Sequence, residues 1–276
     1  MSAENNPAIA CWNPIKRRFR GRIGRRLPFY APANNFGDVL GPVIVERILQ
    51  DNDRPTTPPQ SFEQAEGHRK LLSIGSVLHF ARDGDAVWGT GRNGKISDAK
   101  MSFTDLDVRM VRGPLTRDFL LSRGIDVPEI YGDPGLLVPT LFPEKWAGWK
   151  KGSQGPIFVA NLNDPKPKNR YGRLIDPCTP VWDVIRAIYE SELVLSTSLH
   201  GFILAEAFGI RTRLLRSAAE SPFKYEDYFK GTGRTELVSY DSIEAARAAP
   251  DHPAPVFDPA KMIAAFPLDL FAGAAS

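Results

Sequence analysis

Residues 193–210, LVLSTSLHGFILAEAFGI, run without a break from an apolar stretch through a polar turn into a second apolar stretch. LVLSTS predicts a strand and LHGFILAEAFGI a helix closed by Gly209, the strand-to-helix step from which α/β proteins are built. The same alternation extends in both directions. Upstream, PIFVANL reads as a strand and VWDVIRAIYESE as a helix with apolar residues near i, i+3 and i+4; downstream, RTRLLR reads as a strand, followed by the acidic helix IEAARAA and a final KMIAAFPLDLF segment. An earlier series has the same grammar. The polar cluster Asn34–Asp38 starts the helix VLGPVIVERILQ, and LLSIGSVL, AVWGTG and VRMVRG read as strands. PLTRDFLLSRGI reads as a helix with Pro114 in its first turn, and EIYGDPGLLVPTLF as a short strand, a turn and an apolar segment. The expected class is therefore α/β with mostly parallel sheets in two Rossmann-like lobes. Residues 144–154, EKWAGWKKGSQ, are the linker candidate, dividing an N-terminal domain of residues 31–145 from a C-terminal domain of residues 150–276. Residues 1–30 are read as a basic, irregular arm in which only residues 27–30 suggest a strand.

Bulk properties narrow the function. At 276 residues, with 42% hydrophobic and 24% charged residues, the chain can bury two ordinary cores. Cys11 and Cys178 stand apart, without the paired spacing of a zinc site or a disulfide framework, which suits a reducing compartment. No apolar run reaches the roughly 18 residues of a membrane span, and the N-terminus lacks a secretory core, so the expected location is cytoplasmic. The net charge of +3 hides an uneven distribution: Lys16 to Arg26 carries seven basic and no acidic residues, leaving 3 − 7 = −4 for the rest. A dedicated nucleic-acid protein is not expected on that balance. The arm is read either as solvated or as a contact with anionic lipid, at the inner face of the membrane, or with a polyanionic acceptor.

Ligands of open α/β sheets bind beyond the carboxyl ends of the strands. Four segments place unusual polar residues there: NNFGD, SIGS, WGTG and STSLHG. Together with two further motifs they give Asn35-Phe36-Gly37-Asp38, Gly75-Ser76, Trp88-Gly89-Thr90-Gly91, Val111-Arg112-Gly113-Pro114-Leu115-Thr116-Arg117, Tyr131-Gly132-Asp133-Pro134 and Ser198-Leu199-His200-Gly201, in that order. In these residues the chain resembles the polysaccharide pyruvyl transferase family, over about residues 34–210. One departure stands out: where many members carry a Pro-His-Tyr-like motif, this chain has Ala160-Asn161-Leu162-Asn163-Asp164.

The resemblance implies a GT-B-like two-domain fold, phosphoenolpyruvate as donor substrate with no separate cofactor, and a saccharide acceptor, free or lipid-linked, in surface polysaccharide biosynthesis. Ketal formation needs a proton for the methylene carbon, stabilisation of an oxocarbenium-like centre and clamps for the donor's anions. His200, opening a helix and followed by Gly201, is the candidate acid. A helix N-terminus disfavours a cation, whereas bound phosphate and carboxylate favour one, so the donor is expected to charge its own acid. The bland alternative is a helix cap or a satisfied buried imidazole. Arg112 offers a planar fork for carboxylate or phosphate, or else forms an ion pair with a carboxylate such as Asp133. Asp38 either caps its helix, or accepts a hydrogen bond from the acceptor sugar or serves as base towards its hydroxyl. Asn35, Gly37, Gly75, Gly89 and Gly91 are read as turn-formers that admit a ligand, Ser76, Thr90 and Ser198 as hydroxyl donors, and Leu199 as part of the His200 motif. Arg117 and Asp133 are substrate-binding candidates whose alternatives are a solvated helix face and a turn. His68, His79 and His252 lack a second ligand at metal spacing, and no metal site is expected.

Two readings compete with this one: a GT-B glycosyltransferase using a nucleotide-sugar, and a non-catalytic sugar-binding relative. A serine hydrolase lacks its G-x-S-x-G elbow. In GTGRNG, residues 89–94, the dinucleotide spacing has no convincing helix behind it.

Overall fold

The computed structural model describes residues 6–17, 30–165 and 171–271. From the N-terminal side, Ala8–Cys11 (β1) leads to an antiparallel pair, Ile15–Arg17 (β2) and Tyr30–Pro32 (β3), and then to helix Phe36–Asp51 (α1). Strands Gln60–Ser61 (β4), Lys70–Leu72 (β5), Ala86–Trp88 (β6) and Asp107–Met110 (β7) follow, with helices Pro114–Ser122 (α2) and Val138–Leu141 (α3). The second series is Ile157–Val159 (β8), Arg173–Ile175 (β9), Val181–Glu190 (α4), Val194–Ser196 (β10), Leu199–Ala207 (α5), Thr212–Leu214 (β11), Phe223–Gly231 (α6), Ile243–Ala248 (α7) and Pro259–Ala264 (α8). Both main sheets are parallel, in the orders β4-β1-β5-β6-β7 and β11-β10-β8-β9. The expected α/β class with parallel sheets is what the chain adopts.

Three expectations need correction. Residues 8–11 are not part of an irregular arm: β1 is an interior strand whose Ala8, Ile9 and Ala10 are buried. Pairing on both sides satisfies its backbone, and four residues are too few to announce themselves by pattern. The basic run from residue 18 onward and residues 27–29 of the suggested strand lie outside the described residues. EIY supplies only a single bridge, Tyr131 to Val111, and α6 arises from SPFKYEDYFK, where no element was expected.

The two sheets share buried apolar neighbours. One continuous cluster runs from Ile9, Phe36 and Leu40 through Leu136–Val138 to Val184, Phe202 and Phe229. Each such side chain contributes about 1.5–3 kcal/mol when fully buried. Helix α5 lies in the middle, buried from Leu199 to Glu206, as expected of a helix apolar all round. Its first turn approaches the sheet closely, because a Cβ on Gly201 would lie 2.6 Å from Val159 Cγ1 and 2.8 Å from Ser196 Oγ. In the expected linker, Trp146 and Trp149 pack edge-on against Phe208 and Tyr189, at 5.1 and 6.0 Å between ring centres. Among the described residues no helix is long and apolar enough to cross a membrane.

Candidate active site

Loops at the carboxyl ends of β1, β5, β6, β8, β10 and β11 converge on one polar cavity of about 270 Å³, where a parallel sheet presents its ligands. Trp12, Asp38, Ser76, Asn161, His200 and Lys224 are among its walls.

His200 sits in the first turn of α5, whose N-cap Ser198 accepts from the Gly201 N–H at 3.3 Å. Its ring rests on Gly37, where any Cβ would collide with Nδ1. Glycine at that position is thus a requirement of close packing. On the other edge, Nε2 faces Asp133 Oδ2 at 3.5 Å, and both atoms are buried with no other partner among the described residues. Asp133 is fully buried and anchored through Oδ1, which accepts from the Gly135 N–H at 2.9 Å. It stands behind the imidazole and does not line the cavity. A carboxylate there favours hydrogen on Nε2 and leaves Nδ1 for exchange with a ligand. Asp133→Asn, which keeps the turn bond to Gly135, is expected to lower kcat by about 10²-fold or more with KM little changed; a loss in KM alone would reduce Asp133 to a turn residue.

Arg112 is placed differently from expectation. Its side chain is fully buried, bonded to Asp227 Oδ2 at 3.0 Å, to Ser76 Oγ at 2.7 Å and to the Arg92 carbonyl at 2.7 Å. It does not line the cavity, and its carboxylate partner is Asp227, not Asp133. Asp227 also accepts from the Thr116 N–H and Oγ1, at 3.0 and 2.7 Å, so α6 is clamped to the start of α2. Arg112 acts on the site through Ser76, whose oxygen accepts from the guanidinium and whose own O–H remains to donate elsewhere.

The cavity-lining cations are instead Lys95 and Lys224. Their Nζ atoms lie 2.8 and 3.2 Å from the same Glu220 oxygen. Burial pushes the Lys224 ammonium below its ordinary value, against the pull of Glu220. Glu220 is raised by burial but held below the usual carboxylate range by Lys224 and Lys95. The cluster carries net charge +1 and faces the cavity with a surplus cation. Asp38 is half-buried; burial raises its carboxyl above the ordinary 3.8, outweighing Asn35, whose amide donates to it at 2.5 Å, and the nearby His200, Lys224 and Lys16.

The remaining candidates divide into cavity and frame. Asn35, Gly75, Ser76, Ser198 and Leu199 line the cavity with Asp38 and His200, and Gly75 needs its φ of +89° to do so. Gly89, Thr90, Gly91 and Gly201 are frame. A Cβ on Gly89 would strike Pro134, one on Gly91 would lie 2.6 Å from Arg112 Nη2, and buried Thr90 donates to the Gly75 carbonyl at 2.9 Å. Arg117 is away from the cavity, donating to the Val127 carbonyl at 3.0 Å and paired with Glu129 at 3.4 Å. There it ties α2 to the loop at residues 127–129.

Sequence reasoning missed Trp12, His79, Asn93, Lys95, Glu220 and Lys224, all cavity residues. For Trp12, His79, Asn93 and Lys95 the one legible signal was position after a strand, whereas Glu220 and Lys224 lie just before and within α6, where no element was expected. Burial lowers His79 below 6.5, so it is neutral at pH 7. Among the described residues no group of three or more His, Cys, Asp or Glu is placed to hold a metal ion.

Parallel strands and the loops after them thus bring an imidazole backed by a carboxylate, an aspartate whose carboxyl burial raises, and a lysine pair to one cavity of an α/β protein, a candidate acid–base site. The sequence pattern of the polysaccharide pyruvyl transferases matches residues 67–217, more than half of the chain, and the protein belongs to that family. It is similar to the succinoglycan biosynthesis protein ExoV of Rhizobium meliloti, with 30% identity over 228 residues, 75% of this chain and 65% of that protein. The chain thus spans just under two thirds of that relative's length. A solved structure of an uncharacterized protein from Klebsiella pneumoniae aligns over 87% of this chain and 94% of its own, with a TM-score of 0.48 and 13% identity.

Proposed function

We propose that this protein transfers a pyruvyl group from phosphoenolpyruvate to two hydroxyls of a saccharide as a ketal, in exopolysaccharide biosynthesis, on a two-lobed, GT-B-like frame. The observation that carries this reading is the cavity itself, with His200 and Asp38 in its wall and the Lys95–Glu220–Lys224 cluster beside them. About 270 Å³ is near the small end of ligand sites and suits a three-carbon donor. Lys95, Lys224, the Ser76 hydroxyl and the amides opening α5 are the anion-binding groups. The reading sets the protein in the cytoplasm, with residues 16–26 as the contact to anionic lipid and the acceptor free or lipid-linked.

His200 gives its proton to the methylene carbon, which becomes the methyl group, and positive charge develops on the central carbon. The first sugar oxygen bonds to that carbon while Asp38 takes its proton. The carbon–oxygen bond to phosphate then breaks, the second sugar oxygen takes its place, and its proton leaves with phosphate. Asp38 works only when ionised, and desolvation raises its carboxyl. Turnover should therefore fall, as pH drops, at a value above 3.8, and Asp38→Asn should erase that limb of a pH–kcat/KM profile.

Incubation with phosphoenolpyruvate and fractionated glycan acceptors tests the reading. Phosphate release matched by the mass gain of a pyruvyl ketal is expected. Calorimetric binding of nucleotide-sugars with none of phosphoenolpyruvate would overturn the donor assignment in favour of a glycosyltransferase.

A further inference from the structure

The loop after β8, where this chain departs from its family's Pro-His-Tyr-like motif, is a partition between two cavities. Asn161 and Leu162 line the cavity of His200 on one side and a second, larger cavity of about 700 Å³ on the other. The second cavity is bounded by the β2–β3 hairpin, through Lys16 and Ala31–Asn34, and by the carboxyl end of β9 with the turn at Asp176–Cys178. Its volume falls within the range of about 300–1,000 Å³ typical of small-molecule sites.

We propose that this second cavity is a subsite for the acceptor, holding the sugar residues adjoining the one that receives the ketal. The inference rests on the pyruvyl-transfer reading for the first cavity but makes its own claim, that binding extends across the Asn161–Leu162 partition. Three observations carry it. Asn161 and Leu162 belong to both linings, so the two cavities adjoin, and the 270 Å³ space at His200 cannot enclose a longer glycan. The described lining mixes apolar faces, such as Pro32, Leu174 and Pro177, with amides and carboxylates, the composition that suits a sugar ring and its hydroxyls. Asp164 also leaves an acceptor in want of a donor. Its Oδ1 takes the Ser217 hydroxyl at 2.8 Å and the Ala219 N–H at 2.9 Å, whereas Oδ2 is buried with no partner among the described residues. A buried, unmatched carboxylate oxygen is costly, and a sugar hydroxyl would satisfy it.

Cys178 provides the handle for a test, because its thiol is exposed at the rim of this cavity. Burial, and secondarily Asp38, push the Cys11 thiol up to about 11, so at pH 7.5 a bulky maleimide should modify Cys178 well ahead of Cys11, as peptide mass mapping would report. The probes are size fractions of one, two and four sugar residues from the source organism's own exopolysaccharide, stripped of pyruvate by mild acid. Calorimetry is run on the full chain before and after labelling, with a Cys178→Ser control. Affinity is expected to rise about tenfold from one residue to two or more, the worth of one or two added hydrogen bonds, and the label is expected to remove that gain. Affinity independent of length, or a gain that survives the label, would overturn the subsite. Transfer from phosphoenolpyruvate is scored separately on the same fractions. Length-dependent, label-sensitive binding without any ketal would sustain the subsite and unseat the donor chemistry instead.

Discussion

Replacing Arg112 with alanine is expected to remove about 3–5 kcal/mol of folding stability, the usual cost of orphaning one member of a buried ion pair. The surroundings of Asp227 set that cost. Its carboxylate is fully buried and takes Arg112 together with the amide and hydroxyl of Thr116. Without the guanidinium, a negative charge remains in a site from which water is excluded. The change should also free Ser76, which loses its bond to Nη1. Arg112→Lys should recover little, because a single ammonium nitrogen cannot stand in both places of the fork, with Nη1 on Ser76 and Nη2 on Asp227 and the Arg92 carbonyl. Urea melts of Arg112→Ala, Asp227→Ala and the double variant provide the check. Losses well short of additive are expected, since either change removes the same interaction. An unchanged melt with loss of phosphoenolpyruvate binding would restore Arg112 as a direct anion clamp.

His200→Ala is expected to lower ketal formation by about 10²–10⁴-fold, the usual worth of a placed general acid, with donor affinity within a few-fold of the parent. Proton delivery counts in the transition state, whereas Lys95 and Lys224 hold the donor's anions in the ground state too. The imidazole also fills the space above Gly37, so His200→Gln is the better-packed companion and should be equally inactive. Single-turnover kinetics beside calorimetric donor affinity would separate the two effects. Turnover near that of the parent in either variant would remove His200 from proton transfer.

Class and centre were legible in the sequence because strand-to-helix switches such as LVLSTSLHG are written in period and turn chemistry. The same rule places His200, Asp38, Ser76 and Ser198 at strand ends, where the cavity lies. Arg112 and Asp133 misled because a residue's type does not reveal which way it faces: both sit one layer behind the cavity, and each is spent on a partner distant in sequence. Asp227 and Lys224 were illegible for a different reason. In SPFKYEDYFK, charges and aromatics interleave without a clear apolar stripe, and tertiary packing makes α6 a helix. In the structure, that helix brings one lysine to the cavity and one aspartate to Arg112. β1 was missed because four small or apolar residues ahead of a run of arginines carry too little pattern.

That first strand has a practical consequence for anyone preparing the protein. Ala8–Cys11 occupies the slot between β4 and β5, so trimming the amino end beyond residue 7 would leave those two strands about 10 Å apart, twice the normal spacing. Each would then offer a bare hydrogen-bonding edge to any passing chain, which is how soluble material turns into precipitate. Purification handles that must be cleaved off are therefore safer at the carboxyl end.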